Sequence, residues 1–328
     1  MGGKGVSLSR KLKLLEIKSE LGAGTRGSSL GIDALKIAAL NSKNDFFQRY
    51  DSAALEIDNY ALFNTIQNPH AKHIQDILDI YERICNRVAH ELKTHETPIV
   101  LAGDHSSAGG TIAGIKQAFP DKRLGVIWLD AHSDIHSPYT THSGNMHGMP
   151  LATALAEDNQ INARNFVLPE TINLWNKLKE IGGMSPKIDA SDLVFIGTRD
   201  LEIEEERLIK QLGIRFCGVE EVRGKGIEES TYETLAYLSQ CDLLYVSFDV
   251  DSLDSELVSS GTGTPVPDGF SPAEVDQILR IVAADPRLCA FEVVEINPTL
   301  DVQNKMARVA FDILANVCAV IECTSPNF

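Results

Sequence analysis

The sequence predicts an α/β fold, with an open and mostly parallel sheet covered by helices on both faces. Two observations support this prediction. Short, continuously apolar runs recur along the chain, as expected of strands that are buried on both faces. Stretches with helical spacing alternate with these runs. No internal repeat, low-complexity tract or flexible linker interrupts the 328 residues, so we expect a single domain over residues 1–328.

The strands are predicted from the apolar runs. The first strand is expected at 12–17, followed by a loop at 22–31 that is rich in Gly and Ser. The clearest later runs cover residues 99–102, 124–129, 193–197, 243–248 and 291–296. Each is short, rich in residues that favour strands, and continuous rather than alternating, which is typical of a parallel sheet.

Three helices are predicted from their own signals. Residues 74–92 keep apolar side chains three and four positions apart and so build one apolar stripe. Ser271 begins another helix, because Pro272 follows it at the first turn and Glu274 stands three residues beyond it. A third helix is expected at about 305–322.

Composition excludes several classes of partner. The formal net charge is −16, whereas nucleic acids and anionic membranes are bound by basic surfaces. The six cysteines form no CxxC pair, which is typical of free thiols in a reducing compartment. Residues 1–9 have no apolar core for a signal peptide, and no apolar run has membrane-spanning length. We therefore expect a cytoplasmic protein that binds neither nucleic acid nor membrane.

Polar clusters follow directly on four of the predicted strands. In sheets of this kind, ligands bind beyond the carboxyl ends of the strands. The clusters are Gly103-Asp104-His105-Ser106, Asp130-Ala131-His132-Ser133-Asp134, Asp249-Val250-Asp251 and Glu295-Ile296-Asn297-Pro298. We expect their side chains to meet at one edge of the sheet.

These clusters predict a site for two metal ions. Residues two apart in extended backbone point to the same side, so the segments 130–134 and 249–251 would each aim their side chains at one spot. Four carboxylates gathered there would repel one another, and two divalent cations would balance them. Oxygen-rich ligation with imidazole and no thiolate favours Mn²⁺ over a structural Zn²⁺. The predicted ligands are His105, Asp130, His132, Asp134, Asp249 and Asp251.

Each piece also has a simpler explanation. A single Asp-x-His-x-Asp is more often a polar loop than a metal site, and Asp-x-Asp pairs often cap helices. Their joint placement after three separate strands favours the metal site. The remaining histidines are interpreted as surface or loop residues, apart from two discussed below.

At these residues the sequence resembles the ureohydrolase family, and the arginases most closely. The matching stretches follow the family's order over about residues 101–298, most of the chain. All four polar clusters, at 103–106, 130–134, 249–251 and 295–298, lie within matching stretches. The two further stretches that match are Ser143-Gly144-Asn145-Met146-His147-Gly148 and Gly261-Thr262-Gly263-Thr264-Pro265.

The resemblance implies a three-layer α/β/α domain of the arginase/deacetylase type with two Mn²⁺ ions per chain. It implies that His105 binds one metal and His132 the other, that Asp130 and Asp249 bridge them, and that Asp134 and Asp251 bind one metal each. It also implies a small guanidino substrate and a homo-oligomer, a trimer or a hexamer.

The same resemblance implies the residues that act on the substrate. His147 is similar to the family's proton shuttle, and Glu295 to the carboxylate that holds the guanidinium, a pairing that suits both groups. The implied substrate contacts are His136, Thr141, Ser143, Asn145, Glu202 and Thr264. Many arginases have Asn at the position of His136, and Asp is expected where Glu202 stands.

The function implied is hydrolysis of L-arginine to L-ornithine and urea. The 145–148 sequence is similar to arginases, whereas agmatinases usually carry an Arg there. Other ureohydrolases, acting on agmatine or a guanidino acid, remain the first alternative. A zinc deacylase on the related scaffold would bind one metal per chain. A non-catalytic metal-binding protein would lack a chemical residue, yet His147 and Glu295 are present.

Overall fold

Eight parallel strands form one sheet in the computed structural model, which describes residues 10–328. The expectation of no signal peptide in residues 1–9 lies outside this part of the chain. The strands are β1 (Leu12–Ile17), β2 (Ser52–Ala54), β3 (Thr97–Ala102), β4 (Leu124–Leu129), β5 (Leu193–Ile196), β6 (Arg215–Cys217), β7 (Leu243–Asp249) and β8 (Leu288–Val294). Their order across the sheet is β2-β1-β3-β8-β7-β4-β5-β6. The last strand of the chain therefore lies in the middle of the sheet.

Helices cover both faces of this sheet. They are α1 (Gly31–Asn41), α2 (Phe46–Arg49), α3 (Ile74–Lys93), α4 (Ser107–Ala118), α5 (Pro150–Leu155), α6 (Pro169–Glu180), α7 (Ile203–Leu212), α8 (Val219–Lys225), α9 (Ile227–Tyr237), α10 (Pro272–Ala283) and α11 (Lys305–Cys323). One buried apolar cluster joins the sheet to α1, α10 and α11, and a second joins it to α3, α4 and α6. Neighbouring strand residues such as Val126 and Ile127 enter opposite clusters, as the pleat requires. The predicted α/β class with helices on both faces is confirmed.

Most predicted elements are present. The helix start at Ser271 is a complete capping box, in which its hydroxyl accepts from the Glu274 amide and the Glu274 carboxylate accepts from the Ser271 amide. The last predicted strand ends two residues early, because Glu295 takes a left-handed φ of 67° that breaks the ladder. None of the helices built by residues 10–328 has both the length and the apolar character needed to cross a membrane.

The sequence interpretation missed the two edge strands. β2 and β6 have three residues each, and both are partly exposed. They therefore lack the continuous apolar run from which the inner strands were predicted. The expected loop at 22–31 is also shorter than predicted, since a 3-10 turn at Ser28–Leu30 leads into α1 at Gly31.

Helices α3 and α4 pack unusually closely on one face of the sheet. Three glycines of α4, Gly109, Gly110 and Gly114, meet α3 directly. A Cβ atom on Gly114 would lie 2.7 Å from the carbonyl oxygen of Cys85 and 2.7 Å from the Cβ of Val88. The two helices are therefore so close that no side chain fits at position 114.

Candidate metal centre and cavity

All six predicted ligands meet beyond the carboxyl ends of three inner strands. His105 follows β3, and the segment 130–134 follows β4. Asp249 is the last residue of β7, and Asp251 lies in the 3-10 turn after it. Parallel strands end at one edge of a sheet, so these segments, far apart in sequence, are brought together there.

Three carboxylates surround the imidazole of His105. Its Nδ1 lies 3.0 Å from Oδ2 of Asp130, 3.0 Å from Oδ2 of Asp134 and 3.1 Å from Oδ2 of Asp249. The other ring nitrogen lies 2.7 Å from the Ser247 hydroxyl, and the ring stacks on Trp128 with centroids 4.0 Å apart. The imidazole is thus held in one orientation, with Nδ1 directed at the three carboxylates.

A second group of ligand atoms forms around His132. Its Nδ1 lies 3.0 Å from Oδ2 of Asp251 and 3.6 Å from Oδ1 of Asp130. Asp130 therefore turns one carboxylate oxygen toward each histidine. This carboxylate joins the two groups and could bridge two cations.

Bends in the backbone bring the acidic side chains together. The expectation that these segments are extended is wrong, because residues 130–132 form bends and Asp134 has a left-handed φ of 47°. Backbone amides fix the carboxylates: Asp249 Oδ1 accepts from the Asp251 amide at 2.8 Å, and Asp251 Oδ1 from the Ala131 amide at 3.1 Å. The left-handed residue stores strain at the site.

The electrostatics of the centre fit two cations. Burial, together with Asp130, raises the pKa of Asp134 to about 6, and burial with Asp251 raises that of Asp249 well above its ordinary value. The buried atoms His105 Nδ1 and Asp130 Oδ2 have no hydrogen-bond partner among residues 10–328. Burial makes the charged forms of these carboxylates unfavourable, and their ligand atoms face one another. Divalent cations coordinated between them would offset this cost.

The two predicted catalytic residues form a pair beside the metal ligands. Glu295 is buried, and its Oε1 accepts from the His105 amide at 2.9 Å and lies 3.1 Å from His147 Nδ1. Burial disfavours a charged imidazole, but the Glu295 carboxylate outweighs it and raises the pKa of His147 to about 9. Burial would raise the pKa of Glu295, yet its bond to His147 lowers it. The pair is therefore an imidazolium and a carboxylate at neutral pH.

A cavity of about 260 Å³ opens over these residues. Its wall contains all six predicted substrate contacts: His136, Thr141, Ser143, Asn145, Glu202 and Thr264. Thr264 donates to Oδ2 of Asp251 at 3.0 Å, while the Thr141 hydroxyl accepts from the Gly144 amide at 2.9 Å and shapes the loop. The structure thus brings the predicted substrate contacts and His147 into the wall of one cavity, and Glu295 contacts His147 beside the predicted ligands.

Several residues of the cavity were not predicted. Asp200 lies 3.6 Å from Nε2 of His132, and Glu205 accepts from the Ser133 hydroxyl at 2.6 Å. Asp200 follows β5, so the rule applied to the other strands would have found it. Glu205 stands three residues after Glu202 and closes a capping box with it, a local signal that was available. His142 was interpreted as a loop residue and contacts Glu204 at 3.0 Å.

Comparisons with known proteins agree with this geometry. The family model described as the arginase family matches residues 11–319. The arginase of Brevibacillus brevis is 33% identical over 313 residues, covering 94% of this chain and 98% of that protein. Arginase-1 of Mus musculus is 35% identical and covers 89% of this chain and 87% of its own length. A crystal structure of arginase from Bacillus subtilis superposes with a TM-score of 0.80 at 30% identity, covering 94% of this chain and 98% of that one.

The match extends over nearly the whole chain in both sequence and fold. It includes the three strands that lead into the predicted metal ligands, and it agrees with the family expected from the motifs. This chain belongs to the arginase family.

Proposed function

We propose that this protein hydrolyses the guanidino group of L-arginine, producing L-ornithine and urea with two Mn²⁺ ions. The observation that carries the proposal is the position of Asp130, whose two carboxylate oxygens face two separate groups of ligands. Beside these groups lies the ionised pair of Glu295 and His147. Two cations can activate a water molecule and a buried carboxylate can hold a guanidinium, so this arrangement suits cleavage of a guanidino group.

Each ligand has a proposed place. His105 and Asp134 would hold one cation, His132 and Asp251 the other, and Asp130 and Asp249 would be shared. When bound, such a cation pair lowers the pKa of a water molecule and so provides a nucleophile near neutral pH. Mn²⁺ is proposed because the ligand set is rich in oxygen and contains imidazole but no thiolate.

Glu295 is proposed to hold and orient the guanidinium. Its Oε1 already receives the His105 amide and faces His147, which leaves Oε2 for an N–H of the substrate. A buried carboxylate pairs strongly with a planar guanidinium. This contact would keep the guanidino carbon above the metal ligands, where oxygen from water bonds to it.

His147 is proposed to donate the proton that the reaction needs. Hydrolysis breaks the bond between the guanidino carbon and the side-chain nitrogen, and that nitrogen must gain a proton to leave as the amine of ornithine. The contact with the Glu295 carboxylate raises the pKa of His147 and so favours the protonated imidazole that can supply this proton. Its bond to Glu295 keeps it next to the group that leaves.

The outer half of the cavity is proposed to bind the amino-acid end of the substrate. His136, Ser143 and Asn145 offer donors to the α-carboxylate, and Glu202 offers an acceptor to the α-ammonium. Thr264 lines the inner part next to Asp251. These groups support L-arginine as the substrate, because both charges of its amino-acid end meet a suitable partner.

The direct test is urea release from a panel of guanidino compounds by protein loaded with Mn²⁺, Co²⁺ or Zn²⁺. We expect L-arginine with Mn²⁺ to have the highest kcat/KM among L-arginine, agmatine and 4-guanidinobutyrate. Urea release from either of the other two but not from L-arginine would refute the proposed substrate. One metal per chain, rather than two, would favour the deacylase alternative.

A second test concerns Glu295. In Glu295→Gln we expect kcat/KM for L-arginine to fall by roughly a hundredfold or more, because a neutral amide cannot pair with the guanidinium charge. The Mn²⁺ content should stay at two, since Glu295 is not a proposed ligand. His90→Asn, on the exposed side of α3, is the control and should keep full activity. Unchanged turnover in Glu295→Gln would rule out its assigned role.

We also propose the organisation expected from the sequence: one domain over residues 1–328, a cytoplasmic location, and a homo-oligomer of three or six chains. The oligomer is supported by family resemblance alone. Sedimentation of the Mn²⁺-loaded protein distinguishes a trimer or hexamer from a monomer.

A further inference from the structure

Five titratable side chains gather beside the cavity, and three of them line its wall. We refer to His136, His142, Glu202, Glu204 and Glu205 as the mouth cluster. Oε2 of Glu202 lies 2.6 Å from His136 Nε2 and 3.4 Å from His142 Nε2. Oε2 of Glu205 lies 3.4 Å from the same nitrogen of His136. Two imidazoles therefore share one carboxylate, with two further carboxylates beside them.

His136 is the buried centre of this cluster. It is only 8% exposed, and its Nε2 has no hydrogen-bond partner among the described residues. The Glu202 oxygen is near enough, but it lies off the axis along which a ring N–H would donate. The other ring nitrogen lies 3.0 Å from the Thr140 hydroxyl. Nε2 is thus a buried nitrogen that faces carboxylates but makes no well-aligned hydrogen bond to them.

The carboxylates around this nitrogen are held in place. Glu205 accepts from the Ser133 hydroxyl with Oε1 and from the Glu202 amide with Oε2. Glu202 is the N-cap of α7, so its backbone is fixed by the helix. Ligand atoms of His136, Glu202 and Glu205 all lie within 4.8 Å of one another. Three preset ligands at such separations can surround a small divalent cation.

We propose that the mouth cluster is a third divalent-cation site, one that takes zinc. Its ligands are His136 Nε2, Glu202 and Glu205, and it shares no residue with the proposed binuclear centre. The number of ligands favours Zn²⁺ here, because an open zinc site takes three protein ligands and leaves one position for water, whereas the binuclear centre offers a larger set of shared ligands. His142 stands beside Glu202 as a further nitrogen next to this position.

Zinc bound at this site would affect hydrolysis of arginine, an effect that rests on the proposed function. His136 and Glu202 are the side chains proposed to receive the α-carboxylate and the α-ammonium of arginine. A cation bound by both side chains prevents them from contacting the substrate. Zinc in the mouth cluster therefore inhibits by competing with arginine, although it leaves the binuclear centre intact.

The site is tested by counting metals. Protein loaded with Mn²⁺ is dialysed against increasing Zn²⁺, and both metals are measured per chain by elemental analysis. We expect one equivalent of Zn²⁺ to bind while Mn²⁺ stays at two. In His136→Asn the apparent Kd for this zinc should rise at least about tenfold, while His90→Asn should bind it as the unchanged protein does. Zinc uptake only in exchange for Mn²⁺, or unaltered uptake by His136→Asn, overturns the proposal.

A second variant keeps the site testable if His136→Asn does not fold. The Glu202 side chain is 42% exposed, so Glu202→Gln removes a ligand charge with little effect on packing. It should lose the third equivalent and keep two Mn²⁺, and retention of the third equivalent again overturns the site. In kinetics, Zn²⁺ should raise KM for L-arginine without changing kcat. If L-arginine is not hydrolysed, the proposed function fails, yet the metal count still decides whether the mouth site exists.

Discussion

At the scale of single residues, Asp130 joins the two halves of the metal centre. Its oxygens face two different histidines, whereas Asp251 faces one of these two histidines, His132. We therefore predict that Asp251→Asn lowers bound Mn²⁺ from about two per chain to about one. Asp130→Asn should lower it further, because both sites lose a charged ligand.

Elemental analysis after dialysis measures this difference. Asp312→Asn is the matched control, since Asp312 is an exposed carboxylate on α11 and its loss should leave the metal count unchanged. Equal metal loss in Asp130→Asn and Asp251→Asn would contradict the shared role of Asp130.

The sequence predicted ligands better than it predicted their surroundings. The proposed ligand residues form short motifs after apolar runs, so local spacing was sufficient to predict that they lie together. Within the mouth cluster, the contact between His142 and Glu204 carries no such signal. His142 contacts Glu204 across 62 positions of sequence, and only the docking of α7 against the loop brings them together. Contacts of this kind depend on tertiary packing, which spacing alone does not encode.

At the scale of elements, the contact between α3 and α4 depends on glycine. Helix propensity alone predicts that Gly114→Ala stabilises the protein by up to about 1 kcal/mol. We predict the opposite sign, a loss of about 1–3 kcal/mol in the free energy of unfolding, because the added Cβ would clash with the Cys85 carbonyl.

Urea denaturation of Gly114→Ala measures this change. Gly224→Ala is the control, because Gly224 lies on α8 with open space around its Cβ position and should gain a few tenths of a kcal/mol. A gain in both variants would show that the two helices can separate without cost.

Element boundaries at the site were the other limit of the sequence interpretation. Apolar character continues through Ile296, which extended the predicted last strand past its end. The chain turns at Glu295 instead, because its carboxylate must reach the His105 amide and His147. A residue that we propose to be functional departs from the local pattern here, and such positions are where strand limits are least predictable.

At the scale of the whole molecule, bound metal should contribute to stability. The ligands come from the ends of three strands, so a cation that binds only the folded state stabilises the whole sheet. A ligand present at 100 times its Kd adds about 2.7 kcal/mol. We predict that EDTA lowers Tm by several degrees and that Mn²⁺ in excess restores it.

Differential scanning calorimetry with and without EDTA measures this shift. Asp130→Asn is the comparison, since a protein with a weakened centre should show a smaller change on chelation. A Tm that is the same in EDTA and in Mn²⁺ would contradict metal binding to the folded state alone.

The class of fold was predictable from the whole chain, but the order of its strands was not. Continuous apolar runs reveal that strands are buried, yet they are too alike to indicate which run pairs with which. The structure places β8 between β3 and β7. Nothing local in residues 288–294 distinguishes a central strand from any other buried one.

The central position of β8 affects how the protein is made. A ribosome has already produced every proposed ligand, from His105 to Asp251, before it reaches Leu288. At that stage β3, which leads to His105, and β7, which ends at Asp249, have no strand to join them. Insertion of this late segment unites the two halves of the nascent chain. We therefore expect the proposed metal centre to form only after β8 has emerged, so that metal is loaded near the end of synthesis.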